Sequence, residues 1–125
     1  MATAQAAGLS LVGKELNYGR GIGRADDYCT FKGWKVVLEI EISQRHPEMN
    51  VLKAWPYLIN NTTEKIFLIQ HITNTSAVSP NRIQLCNWIG QKMENDLSGR
   101  FKYFLILNQL NQPAISQLKN ELTKL

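Results

Sequence analysis

Three carboxylates near the start of the chain have the spacing of a metal site. Glu39 and Glu41 sit two residues apart in Trp34-Lys35-Val36-Val37-Leu38-Glu39-Ile40-Glu41-Ile42, an aromatic and β-branched run that reads as a strand. A period of two sends both side chains to the same face. Neighbouring carboxylates on an apolar strand repel each other and lose hydration, and a divalent cation between them removes that conflict. The preceding run, Tyr28-Cys29-Thr30-Phe31, is joined to the strand by Lys32-Gly33, which is a hairpin signature. A two-residue turn there pairs Phe31 with Trp34, Thr30 with Lys35, Cys29 with Val36, Tyr28 with Val37 and Asp27 with Leu38. Asp26 then falls opposite Glu39, and cross-strand neighbours lie about 5 Å apart at Cβ. Asp26, Glu39 and Glu41 would converge on one patch of oxygen ligands, which suits Mg²⁺ or Mn²⁺. A three-residue loop would select Asp27 instead, because a one-residue slip exchanges the faces. A solvated sheet face, with Lys35 pairing Glu39, is the competing reading, and spacing alone does not choose between them.

The elements that must position these residues follow from pattern and punctuation. Residues 3–16 have helix propensity interrupted by Gly8 and Gly13, so a short or broken helix is expected. Gly19-Arg20-Gly21-Ile22-Gly23-Arg24 reads as a flexible turn carrying two arginines. It completes neither a dinucleotide fingerprint nor a Walker-type phosphate loop. Pro47 opens a helix over residues 48–54, which Pro56 should kink or end near Trp55. A polar loop over 60–64 leads into a strand over 65–72. Ser79-Pro80 starts a helix whose apolar stripe runs through Ile83, Cys86, Ile89 or Gly90, Met93 and Leu97 to an end at Gly99. Residues 101–107 form another strand, and Pro113 opens a last helix with Ile115, Leu118, Leu122 and Leu125 on one side. The order implies an α/β (α+β) fold with a mixed central β-sheet flanked by helices.

The hairpin with Arg24-Ala25-Asp26 on one strand and Val37-Leu38-Glu39-Ile40-Glu41 on the next resembles the PD-(D/E)xK nuclease superfamily. In that family an Asp begins one hairpin strand and a (D/E)xK tripeptide lies on the next. The resemblance implies a restriction-endonuclease-like αβββαβ core over roughly residues 10–75. Ala25 replaces the family's Pro, and Glu41 replaces its Lys. The resemblance also implies a Mg²⁺- or Mn²⁺-dependent nuclease acting on DNA. Asp26, Glu39 and the backbone carbonyl of Ile40 would hold the metal, and Glu41 would either orient the attacking water as a general base or join a second metal. Lys53, in Asn50-Val51-Leu52-Lys53, is the candidate for a lysine that has moved to the following helix. Glu15 is the only upstream candidate for a further helix carboxylate. Arg20, Arg24, Lys35, Gln44 and Arg45 would contact nucleic acid, mainly through phosphates, which position a substrate without reading its sequence. Cutting both strands with so small a domain would call for a homodimer. The alternative is a catalytically inactive nuclease-like fold that serves as a nucleic-acid or protein-interaction module.

Composition bounds these readings without choosing among them. The 125 residues carry 14 Lys+Arg against 10 Asp+Glu, a net charge of +4, which permits nucleic-acid binding but does not argue for it. The length fits a single domain spanning 1–125 with one proper core. No apolar run reaches the ~20 residues of a membrane-spanning helix. The start lacks the features of a signal peptide, so a cytoplasmic location is expected. Cys29 and Cys86 lie far apart and outside any Cys-x-x-Cys pair, and with only His46 and His71 beside them a structural zinc site is disfavoured. They read as reduced, buried thiols. Asn60-Asn61-Thr62-Thr63 contains glycosylation sequons that read as chance matches in a polar loop. Trp55, Tyr57 and Trp88 are expected in the core rather than stacked on bases, and His71 as a strand-end or core histidine.

Overall fold

The computed structural model describes residues 2–125, so Met1 lies outside the described residues. The chain begins with helix α1 (Ala2–Ala7), much shorter than the 3–16 stretch of favourable propensity. Gly8 ends it with a φ of 75°, a left-handed conformation that costs glycine nothing. The glycine-rich segment that reads as a flexible turn is a small antiparallel hairpin, β1 (Leu16–Gly19) with β2 (Gly23–Ala25). Leu16, Tyr18 and Ala25 anchor it by burying their side chains, a tertiary signal invisible in so short a strand.

After a bend at Asp26 the chain enters the main sheet through β3 (Asp27–Phe31) and β4 (Trp34–Glu41). Their antiparallel register is the expected one, with Phe31 opposite Trp34 and Asp27 opposite Leu38. Lys32 and Gly33 form the turn with φ of 52° and 83°, the left-handed pair that matches the twist of a tight hairpin. Helices α2 (Pro47–Leu52) and α3 (Ala54–Asn60) follow. The helical path breaks at Lys53 rather than near Trp55. Pro56 then sits in the first turn of α3, where its missing N–H has no helical partner to lose. Strand β5 (Ile66–Ile72), a 3₁₀ turn (Thr75–Ala77), helix α4 (Pro80–Asp96), strand β6 (Phe101–Leu107) and helix α5 (Gln112–Thr123) complete the chain. Helix α4 ends at Asp96, and Gly99 serves the turn into β6 instead.

The four strands lie in the order β3-β4-β5-β6, antiparallel at the first pair and parallel at the other two. Helices cover both faces. One core joins Val37, Ile66, Leu68 and Phe101 to Val51, Ala54 and Leu58 of α2 and α3 and to Cys86, Ile89 and Met93 of α4. The other joins Val36, Leu38, Phe67, Ile69 and Ile106 to Ala4 of α1 and Leu118 and Leu122 of α5. Strand β5 lies between two parallel neighbours and is buried along its whole length, as its unbroken apolar run implies. At Gly90, α4 packs so closely on Tyr103 of β6 that a Cβ would overlap the ring. The architecture is therefore a mixed sheet flanked by helices in one compact domain.

Candidate active site

Alternation along β4 sends Val37, Glu39 and Glu41 to the face covered by α2, α3 and α4, while Val36 and Leu38 meet α1 and α5. Both glutamates are thus only 2% exposed, which overturns the solvated-face reading. They stand toward the carboxyl end of β4, where Glu41 is level with Ile72 of β5, itself level with Leu107 of β6. In open α/β sheets, ligands bind outside the carboxyl ends of parallel strands.

Asp26 and Glu39 clasp each other through the backbone. The Asp26 N–H donates to Glu39 Oε1 at 2.9 Å, and the Ile40 N–H donates to Asp26 Oδ2 at 3.0 Å. Burial pushes the Glu39 carboxyl up to about 8, and the Asp26 charge adds to that; the Asp26 amide and Lys53 pull it down, while Glu41 pushes it up again. Glu41 is also raised, mainly by burial. Its Oε1 accepts from Asn50 Nδ2 at 2.7 Å, and its Oε2 is buried with no partner. Asp27 turns to the other face and is structural, its Oδ1 accepting from Gly13 N at 3.0 Å and Tyr28 N at 2.8 Å.

A cavity of about 300 Å³ opens beside these groups, walled by Asp26, Ile40, Glu41, Ile42, Ser43, Gln44 and Asn50. Lys53 stands at the junction of α2 and α3 and donates from Nζ to the Arg24 carbonyl. Its stem crosses Gly23 so closely that a Cβ there would stand 3.1 Å from Lys53 Cδ. Its charge draws down both glutamates, so it reaches the site electrostatically.

The structure brings Asp26, Glu39 and Glu41 together with Gln44 on the cavity wall, places Lys53 outside that cavity where only its charge acts on the glutamates, and leaves other candidates outside. Lys35 shares the face of Glu39 but lies at the far end of β4, bonded to Glu64 and the Tyr57 hydroxyl. Arg24 pairs at 3.3 Å with Glu15, both more than half exposed, so Glu15 is no part of the carboxylate group. Arg20 is exposed in the β1–β2 turn, and Arg45 is exposed between β4 and α2. Tyr57 is buried and Trp55 packs against the core as expected, but Trp88 is 60% exposed. Cys29 and Cys86 are buried free thiols.

Three neighbours of the carboxylates escaped the sequence reading. Asn50 lies three residues before Lys53, so both fall on one side of a helical stretch, and that spacing was the available signal. Tyr18 is 3% exposed, and its buried hydroxyl lacks a partner; burial, aided by the Glu39 charge, raises its pKa. Glu48 is 5% exposed and accepts from Arg82 at 2.9 Å. Nothing in sequence announces the last two, because both depend on which elements pack together.

Among the described residues, no three His, Cys, Asp or Glu side chains form a group arranged to hold a metal ion. Each of the three carboxylates has one oxygen committed to an N–H donor. A hard divalent cation such as Mg²⁺ asks less, taking one or two carboxylates and filling its shell with water and substrate oxygens. Asp26, Glu39 and the Ile40 carbonyl meet that smaller requirement in kind. No helix among the described residues is long and apolar enough to cross a membrane. Comparison with protein-family models, curated proteins and solved structures returned no match.

Proposed function

We propose that the protein is a metal-dependent nuclease that hydrolyses phosphodiester bonds of DNA. One observation carries this reading: two carboxylates, Asp26 at the bend before β3 and Glu39 on β4, meet beside a polar cavity at the carboxyl end of β4, with Glu39 pushed up to about 8. The chain order supports it. Helix α1, the antiparallel hairpins β1–β2 and β3–β4 joined at the Asp26 bend, the helical segment α2–α3 and the parallel strand β5 approach the αβββαβ succession, with four strands where the resemblance to PD-(D/E)xK nucleases implies three.

In this reading Asp26, Glu39 and the Ile40 carbonyl would hold Mg²⁺ or Mn²⁺. A divalent cation there would polarise the scissile phosphate and supply an activated water at neutral pH. Glu41, oriented by Asn50, accepts a proton from the attacking water. Lys53 takes the place of the lysine that Glu41 displaced, and its ammonium offsets charge developing on the phosphate. Gln44 lines the cavity and offers an amide to the substrate. Arg20, Arg24 and Arg45 are exposed and track phosphates farther out. Glu39 must lose its proton to bind metal, so activity rises with pH through about 8 at limiting metal.

The test is Mg²⁺- or Mn²⁺-dependent nicking of supercoiled plasmid and of single-stranded circular DNA, beside Asp26→Ala and Glu39→Ala. Loss of cleavage in both variants supports the reading, and cleavage that survives both removes these residues from the site. Glu41→Lys should preserve or increase cleavage. A second reading, a nuclease-like module that binds nucleic acid or protein without cutting, draws on one observation: Glu41 stands in the lysine position, buried and held by Asn50. Metal-dependent DNA binding without cleavage would favour it.

A further inference from the structure

Strand β4 presents different chemistry on its two sides. Glu41 lines the polar cavity and Glu39 is buried on the same face of the strand, while the intervening Ile40 packs against the opposite core and reaches the rim of both cavities. On that opposite side lies a larger cavity of about 450 Å³, mostly apolar, formed by Ala2 and Thr3 of α1, His71 and Thr73. The two cavities share Asp26, Ile40 and Ile42, so they meet around the end of β4. Ile42 is 70% exposed there, an apolar side chain with no structural duty that burial would explain. The volume is in the range of about 300–1,000 Å³ typical of small-molecule pockets.

Apart from Asp26, which both cavities share, the polar side chains of the apolar cavity are already engaged. The Asn108 carbonyl can only accept, so His71 carries its proton on Nε2 and donates there. His71 Nδ1 therefore accepts from the Thr3 hydroxyl at 3.0 Å. Thr73 Oγ1 donates to the Glu41 carbonyl at 3.2 Å. An occupant is held by contact with apolar walls rather than by directed hydrogen bonds.

We propose that this cavity receives a nucleobase adjoining the phosphate at Asp26 and Glu39, which makes the substrate single-stranded or locally unpaired DNA; the phosphate's position rests on the nuclease reading. A nucleotide is the ligand whose two ends fit the two cavities: an anion for the cation-assisted carboxylates and a flat, largely apolar ring for the other side. A base in duplex is stacked on both faces and paired at its edge. It must leave the helix to enter, which an unpaired base has already done. With Thr3, His71 and Thr73 engaged, the cavity accepts bases with little sequence preference.

The experiment measures binding and cleavage separately. Fluorescence anisotropy in EDTA at fixed salt compares labelled single-stranded oligothymidine with a duplex of equal length, for the wild type, Ile42→Asp and Ala2→Trp. Both substituted positions are exposed, so the fold should persist, and circular dichroism verifies it. The wild type is expected to bind the single strand about tenfold more tightly than the duplex, and each variant to lose about tenfold on the single strand alone. Equal affinity for the two forms, or variants that bind like the wild type, overturns the base pocket. Cleavage with Mg²⁺ then separates the two readings. Single-strand preference without cleavage keeps the pocket and removes the nuclease. Equal cleavage of both forms by all three proteins keeps the nuclease and removes the pocket.

Discussion

At the amino end of β4, Lys35 meets Glu64 and the Tyr57 hydroxyl, and Tyr57 also donates to Glu64 at 3.0 Å. Burial pushes the Lys35 ammonium down, but the Glu64 and Tyr57 bonds outweigh it and hold the group above its usual value. Glu64 is held below its usual value, chiefly by Lys35. Four residues along the same face, Glu39 meets Asp26 and Glu41, with Lys53 offsetting the repulsion only in part, and its carboxyl rises to about 8. One end of the strand is electrostatically closed and contributes stability. The other is left open at a cost in stability, beside a cavity large enough for a ligand. Perturbed carboxylates that structure does not neutralise are where a cation or a proton transfer would act.

Breaking the two ends separately should separate activity from stability. The largest effect is on cleavage: Glu39→Gln should lower the metal-dependent nicking rate by about 100-fold or more, whereas Lys35→Met should stay within about twofold, as initial rates on the same DNA would show.

Stability against pH comes next. Glu39 in the folded protein keeps its proton to about 8, while the unfolded chain releases it near 4.5. Folding therefore binds protons between those values, and wild-type stability falls as pH rises through that window. Glu39→Gln removes the fall and should be more stable than the wild type at pH 9 by on the order of 2 kcal/mol in urea unfolding. Added Mg²⁺ should raise the wild-type midpoint at that pH and leave Glu39→Gln unmoved.

The closed end predicts the reverse sign. A depressed carboxylate contributes stability above its unfolded pKa and loses it as pH falls through the lower folded value. Glu64→Gln should cost about 1 kcal/mol near neutral pH, since both partners are partly exposed, and the deficit should vanish in acid. The smallest effect is Arg20→Ala. It should change stability by less than about 0.5 kcal/mol while reducing the salt slope of DNA binding by about 1.

The hairpin register was legible in residues because a two-residue turn at Lys32-Gly33 and a strict period of two leave few alternatives. That register put Asp26 rather than Asp27 with Glu39. The strands over 66–72 and 101–107 were legible as unbroken apolar runs. The β1–β2 hairpin was not, because its strands are three and four residues long and owe their order to Tyr18 and Ala25 packing on the core. Helix α3 was hidden behind Pro56, which is disruptive inside a helix and harmless in a first turn.

Sequence by itself determined which residues share the face of β4 and which stand opposite across the turn, because alternation and turn length are local. Only the tertiary structure decided what that face meets. The parallel crossover from β4 to β5 lays α2 and α3 over Glu39 and Glu41, buries them, and brings in Asn50 and Lys53. Lys35 was drawn to Glu64, 29 residues away, instead of to Glu39 on its own strand. Burial and charge pairing depend on distances between segments remote in the chain, and it is they that turn an alternating acidic strand into a candidate site.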